Sequence, residues 1–141
     1  MEIYKKYKIF IVDDNIFSLG MYERNLINLG YEDITTFSSG VEMLLKLVEG
    51  PDIIFLDHQM HPINGLEVLK LIKRFDPHIY VVMVSGQENL SIAIESLHHG
   101  AFDYIIKDDN ENDKMKDVIV RIQTIHYLLL KNKKNPSDHL D

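Results

Sequence analysis

The chain has 141 residues, enough for one domain with a packed core and little more. Apolar residues make up 45% and charged residues 26%, the balance of an ordinary globular fold. The absence of cysteine excludes disulfides and thiolate metal sites, and a net charge of −7 argues against direct binding to nucleic acid.

From the N-terminus, Lys5, Lys6 and Lys8 lead into an apolar run, Ile9 to Val12, that Asp13-Asp14 stops far too early for a signal peptide. No later stretch reaches the ~20 apolar residues of a membrane span, so a cytoplasmic protein with no membrane contact is expected. The spacing predicts a strand over Lys8-Val12, then a helix with the stripe Leu19, Tyr22, Leu26 and Leu29. A second strand, Asp33-Thr36, precedes a helix opened by the capping-box-like pair Ser39 and Glu42 and striped by Val41, Leu44, Leu45 and Val48. The third strand is Ile53-Leu56. Asn64 and Glu67 then open a helix with Leu66, Leu69 and Ile72 on one face. A fourth strand, Ile79-Val84, is followed by Leu90, Ala93, Ile94 and Leu97 at helical spacing, and a fifth, Asp103-Ile106, by Val118, Ile122, Ile125 and Leu129. Gly30, Gly50 and Gly100 fall just past helix ends, where a left-handed residue is wanted. Several strand runs are continuously apolar, as in strands covered on both faces. The expected architecture is α/β: a (βα)5 doubly wound parallel sheet occupying residues 1–130. Residues 131–141, with Lys131, Lys133, Lys134 and Pro136, read as a polar C-terminal tail or the start of a linker.

Ligands of open α/β sheets bind beyond the carboxyl ends of the strands. There the first strand leads to Asp13-Asp14, the third to Asp57, the fourth to Ser85-Gly86 and the fifth to Lys107. Taken singly, these are ordinary turn, cap and surface residues. Together they place three carboxylates on one edge, which raise one another's pKa unless something positive holds them. A hard divalent cation such as Mg²⁺ meets that need. A carboxylate can also act as a nucleophile toward phosphorus, with cation, ammonium and hydroxyl taking up charge on the transferred oxygens.

The segments Ile11-Val12-Asp13-Asp14-Asn15, Pro51 to Met60, Gly65 to Leu69, Val84-Ser85-Gly86 and Gly100 to Lys107 resemble, in order and spacing, the receiver domain of two-component response regulators. The resemblance runs from about Lys8 to Leu130. It implies a five-stranded flavodoxin-like sheet in the order 2-1-3-4-5. It also implies Asp57 as phosphoacceptor and Mg²⁺ held by Asp14, Asp57 and the backbone carbonyl of Gln59, with Asp13 acting through water. Lys107 would contact the phosphoryl group, Ser85 would be the hydroxyl switch, and Tyr104 the aromatic switch that turns inward on activation. Gln59 and Gln87 occupy positions that tune the lifetime of the phosphorylated state. The implied partners are a sensor histidine kinase or histidine phosphotransfer protein and a downstream protein or fused output domain, with a phosphorylation-dependent homodimer as a further form. Phosphorylation would switch the face formed by the fourth helix, fifth strand and fifth helix, where Ile92, Val120, Tyr127, Leu128 and Leu130 stand off the apolar stripes. Two departures concern loop geometry: His61-Pro62 brings the proline one position late, and Asp108 replaces the proline that usually follows the lysine. The Lys107-Asp108 peptide is therefore expected to be trans.

Other readings fit less well. An aspartyl-nucleophile phosphatase would carry its nucleophile after the first strand with a second Asp two residues on, which the adjacent Asp13-Asp14 breaks. An FMN carrier of the same topology would need a Gly/Ser/Thr-rich phosphate loop there. A degenerate receiver would lack a site residue, and none is missing.

Overall fold

The computed structural model describes residues 6–86 and 89–134. Among these, five strands alternate with five helices: β1 (Lys8–Val12), α1 (Ile16–Asn28), β2 (Asp33–Phe37), α2 (Gly40–Leu44), β3 (Ile53–Asp57), α3 (Gly65–Phe75), β4 (Tyr80–Ser85), α4 (Leu90–His98), β5 (Asp103–Ile106) and α5 (Glu111–Lys134). The strands form one parallel sheet in the order β2-β1-β3-β4-β5. The expected (βα)5 flavodoxin-like arrangement is what the chain adopts. Strands β3 and β4 run one residue further than the hydropathy predicts, so Asp57 and Ser85 are the last residues of their strands.

The sheet is covered on both faces. Ile9, Ile11, Phe55, Val82 and Val84 meet Tyr22 and Leu26 of α1 and Met115, Val118 and Ile122 of α5. On the other face, Phe10, Val12, Leu56, Val81 and Met83 meet Met43 of α2 and Val68, Leu69 and Ile72 of α3. Alternate strand residues thus feed two separate cores, which is why those strands read as unbroken apolar runs.

The caps fall where expected. Ser39 and Asn64 accept from the backbone N–H groups of Glu42 and Glu67, while Asn15 and Asn89 cap α1 and α4. Gly30, Gly50 and Gly100 all have positive φ.

Two helices present a different face to the core from the one their periodicity suggests. The α2 helix ends at Leu44 and gives way to a 3₁₀ turn over Leu47–Glu49. Val41, Leu45 and Val48 point to solvent, while Gly40, Met43 and Leu47 are buried. Close packing decides this: a Cβ on Gly40 would lie 2.7 Å from Cγ2 of Val68, so the small residue must face α3. In α4, Leu90, Ile94 and Leu97 are 75%, 57% and 49% exposed and Ser96 is fully buried. Its hydroxyl donates to the Ile92 carbonyl at 2.8 Å, so burying it leaves no unmet polar group. Finally, residues 131–134, read as the start of a tail, continue α5. Lysines in a last helical turn are favoured by the helix dipole. The remainder of the expected tail, 135–141, lies outside the described residues, as does Gln87.

Candidate functional site

The carboxyl ends of β1, β3, β4 and β5 meet at one edge of the sheet. Parallel pairing sets Asp57 beside Val84 and Ser85 beside Ile106, so all four strands end at nearly one level. Asp13 follows directly on β1, tied to the neighbouring strand by its N–H to the Phe37 carbonyl. Ser85 and Lys107 are joined through the backbone, Lys107 N–H donating to the Ser85 carbonyl at 2.9 Å. The Lys107-Asp108 peptide is trans as expected, the cis bond among the described residues being His61-Pro62. Asp108 and Asp109 face solvent, Asp108 pairing with Lys114 at 2.8 Å.

Asp13, Asp57 and Ser85 are buried, while Asp14 is exposed. Asp13, Asp14 and Asp57 each offer an oxygen, all within 4.8 Å of one another. The Lys107 ammonium reaches Asp13 at 2.8 Å and Asp57 at 3.6 Å. The other Asp13 oxygen accepts from the Asn15 N–H at 2.9 Å, and Asp57 accepts weakly from the Gln59 N–H at 3.3 Å.

This arrangement strains the charge balance. Burial and then the neighbouring Asp13 carboxylate push the Asp57 carboxyl up to about 7, against the opposing pull of Lys107. Burial works against the Lys107 ammonium as well, but the hydrogen bond to Asp13 and the charges of Asp57 and Asp13 outweigh it and hold its pKa above the ordinary lysine value. Three acids with one ammonium remain short of positive charge. Hard oxygen donors with that deficit suit a small divalent cation.

Of the residues singled out from sequence, Asp13, Asp14, Asp57, Ser85 and Lys107 come together. Gln59 lies exposed in the loop after β3, where its N–H points to the Asp57 carboxylate. Tyr104 sits one layer back on β5, half-buried and packed against the α3-side core.

Two residues of the site were not singled out. Tyr22, buried in the α1 stripe, donates its hydroxyl to Glu111 at the start of α5 at 2.6 Å. Burial, that bond, and the nearby charges of Asp13 and Asp57 push its pKa above the ordinary tyrosine value. Glu111 in turn supports the charge on Lys107. A tyrosine in an otherwise aliphatic stripe was the available signal, since a buried phenol needs a partner. Glu111 gave no signal in the sequence.

The family model described as response regulator receiver domain matches residues 9–119. The chain belongs to that family, as a receiver domain of two-component response regulators. It is 35% identical over 94% of its length to a protein-glutamate methylesterase/protein-glutamine glutaminase of Clostridium acetobutylicum, of which it spans 40%. It is 31% identical to the chemotaxis protein CheY of Bacillus subtilis, the match covering 72% of this chain and 85% of that one. Among solved structures it is similar to the CheX-CheY-BeF3-Mg+2 complex from Borrelia burgdorferi, with a TM-score of 0.76, 25% identity and coverage of 82% of this chain and 88% of that one. Phosphorylation-dependent signalling is the function of this class, and no helix among the described residues is long and apolar enough to cross a membrane.

Proposed function

We propose that Asp57 accepts a phosphoryl group from a phosphohistidine of a sensor kinase or histidine phosphotransfer protein. The observation that carries this reading is the Lys107 ammonium within reach of two buried carboxylates at the strand edge, with a third beside them. Asp14, Asp57 and the Gln59 carbonyl are assigned to Mg²⁺. Asp13 already has both oxygens engaged, by Asn15 and Lys107, which suits contact through a water. When bound, the cation would offset negative charge on the transferred oxygens and keep Asp57 ionised.

An Asp57 oxygen attacks phosphorus as the phosphorus–nitrogen bond breaks. The imidazole leaves with that electron pair, and an aspartyl-phosphate forms. Lys107 contacts one phosphoryl oxygen and the Ser85 hydroxyl another, so the transfer draws both toward Asp57. Because Lys107 and Ser85 are joined through the backbone, motion of Ser85 is carried to the end of β5, and Tyr104 follows inward. The α4–β5–α5 face is thereby shifted between two arrangements. Its outward residues Leu90, Ile94 and Leu97 suit contact with a downstream protein or a fused output domain.

On this reading the chain is a phosphoacceptor switch that catalyses only its own phosphorylation and dephosphorylation, working in the cytoplasm. That fits a site consisting of an acceptor, a hydroxyl, an ammonium and cation ligands. Incubation with Mg²⁺ and acetyl phosphate is expected to add one phosphoryl mass to the wild type and none to Asp57→Asn. Intact-protein mass spectrometry reads the result, and equal labelling of the two chains overturns the assignment.

A further inference from the structure

The two ends of the site stand far apart in the sheet. Asp13 follows β1 and Lys107 follows β5, with β3 and β4 between them, so no strand pairing sets the distance from one to the other. Lysine spans the gap on a flexible stem, and the place of its ammonium depends on what holds the tip. Asp13 at 2.8 Å and Asp57 at 3.6 Å hold it along the strand edge. Asp57, however, gives up its carboxylate charge when it becomes an aspartyl-phosphate. A fixed ammonium therefore calls for a holder that takes no part in the transfer.

Glu111 is such a group, a further carboxylate whose charge supports the ammonium. It opens α5, and the loop that separates it from Lys107 is closed on itself. Asp108, standing where receivers usually carry proline, accepts from the Asn110 N–H and the Lys114 ammonium, each at 2.8 Å. Its carbonyl accepts from the Glu111 N–H at 3.3 Å. The loop sets the Glu111 backbone, and Tyr22 sets its side chain, donating to the carboxylate at 2.6 Å. Tyr22 is itself 1% exposed and packed in the core that α1 and α5 share. Burial and the surrounding acids keep the phenol protonated, so it remains a donor at neutral pH. A phenylalanine would fill the same space without needing a partner. Since α1 begins just after Asp13-Asp14 and α5 just after Lys107, this bond braces the two helices that follow the two ends of the site.

We infer, on the reading of Asp57 as phosphoacceptor, that Tyr22 is a positioning residue for phosphoryl transfer, holding Glu111 so that the Lys107 ammonium meets the phosphoryl oxygen in one geometry.

Labelling of the whole chain by acetyl phosphate with Mg²⁺, followed by intact-protein mass spectrometry, tests this. Tyr22→Phe keeps the ring in the core and is expected to slow labelling about tenfold. Glu111→Gln keeps an acceptor for the phenol but removes the charge, and slows it likewise. The two residues act as one unit, so the double variant is no slower than the slower single one. In a Lys107→Ala background, Tyr22→Phe should change the rate by less than about twofold, because the group it positions is gone. A purely structural role would slow both backgrounds equally. Nuclear magnetic resonance without phosphodonor supplies a second readout: the two hydrogens on Cε of Lys107 give separate resonances in wild type and merge in Tyr22→Phe as the tip averages. Wild-type labelling by Tyr22→Phe overturns the inference, as do equal slowing in the Lys107→Ala background and Lys107 resonances that Tyr22→Phe leaves unchanged. Labelling of Asp57→Asn at the wild-type rate is a separate failure, that of the phosphoacceptor reading, and the Lys107 resonances tell the two apart.

Discussion

Asp57 lies at the end of a fully buried strand beside the carboxylates of Asp13 and Asp14, with one ammonium to balance all three. Its carboxyl, raised from 3.8 to about 7, binds its proton more tightly in the folded chain than in the unfolded one. The stability this gives is complete below the unfolded value near 4 and is lost as pH rises through about 7. With EDTA present, Asp57→Asn should therefore exceed wild type in stability at pH ~8, and the gap should close toward pH ~4. Urea midpoints across that range read it directly. A gap that does not vary with pH would show that ionised Asp57 is not under strain.

At the scale of elements, packing determines how close α3 comes to the site. A Cβ on Gly65 would stand 2.3 Å from the Asp57 carbonyl oxygen and 2.7 Å from the His58 Cα. Both are backbone atoms and cannot swing aside. Gly65→Ala should cost about 1–3 kcal/mol in chemical denaturation and displace the Asp57 loop, slowing acetyl-phosphate labelling as well. In α5, the stripe Val118, Ile122, Ile125 and Leu129 leaves the core as the helix advances, Leu129 being 54% exposed. Ile122→Ala should then cost about 2–5 kcal/mol. Leu129→Ala should stay within about 0.5 kcal/mol. Similar losses at the two positions would place the end of α5 against something the sheet does not supply.

For the molecule as a whole, the acidic edge couples cation binding to folding. Mg²⁺ at ten times its dissociation constant should stabilise the fold by about 1.4 kcal/mol, and Asp14→Ala should remove most of that gain. A melting temperature indifferent to Mg²⁺ would argue against the cation site. Beryllofluoride, as a mimic of the phosphoryl group, should alter hydrogen-exchange protection at Ser85, in α4 and along β5. Changes confined to the loop after Asp57 would break the proposed link to the α4–β5–α5 face.

What the sequence determined by itself was carried by local pattern: the (βα)5 alternation, the caps at Ser39 and Asn64, and five charged or hydroxyl residues at one edge. A parallel sheet makes those residues neighbours, because every strand delivers its carboxyl end to the same side. The inward faces of α2 and α4 were decided only by tertiary structure. Both helices carry apolar residues on more than one side, so periodicity does not choose between them. Contact does, through the closeness of Gly40 to Val68 and the satisfied hydroxyl of Ser96. The hydrogen bond from Tyr22 to Glu111 joins residues 89 positions apart. No spacing rule spans that distance, and only the packing of α1 beside α5 brings the two together.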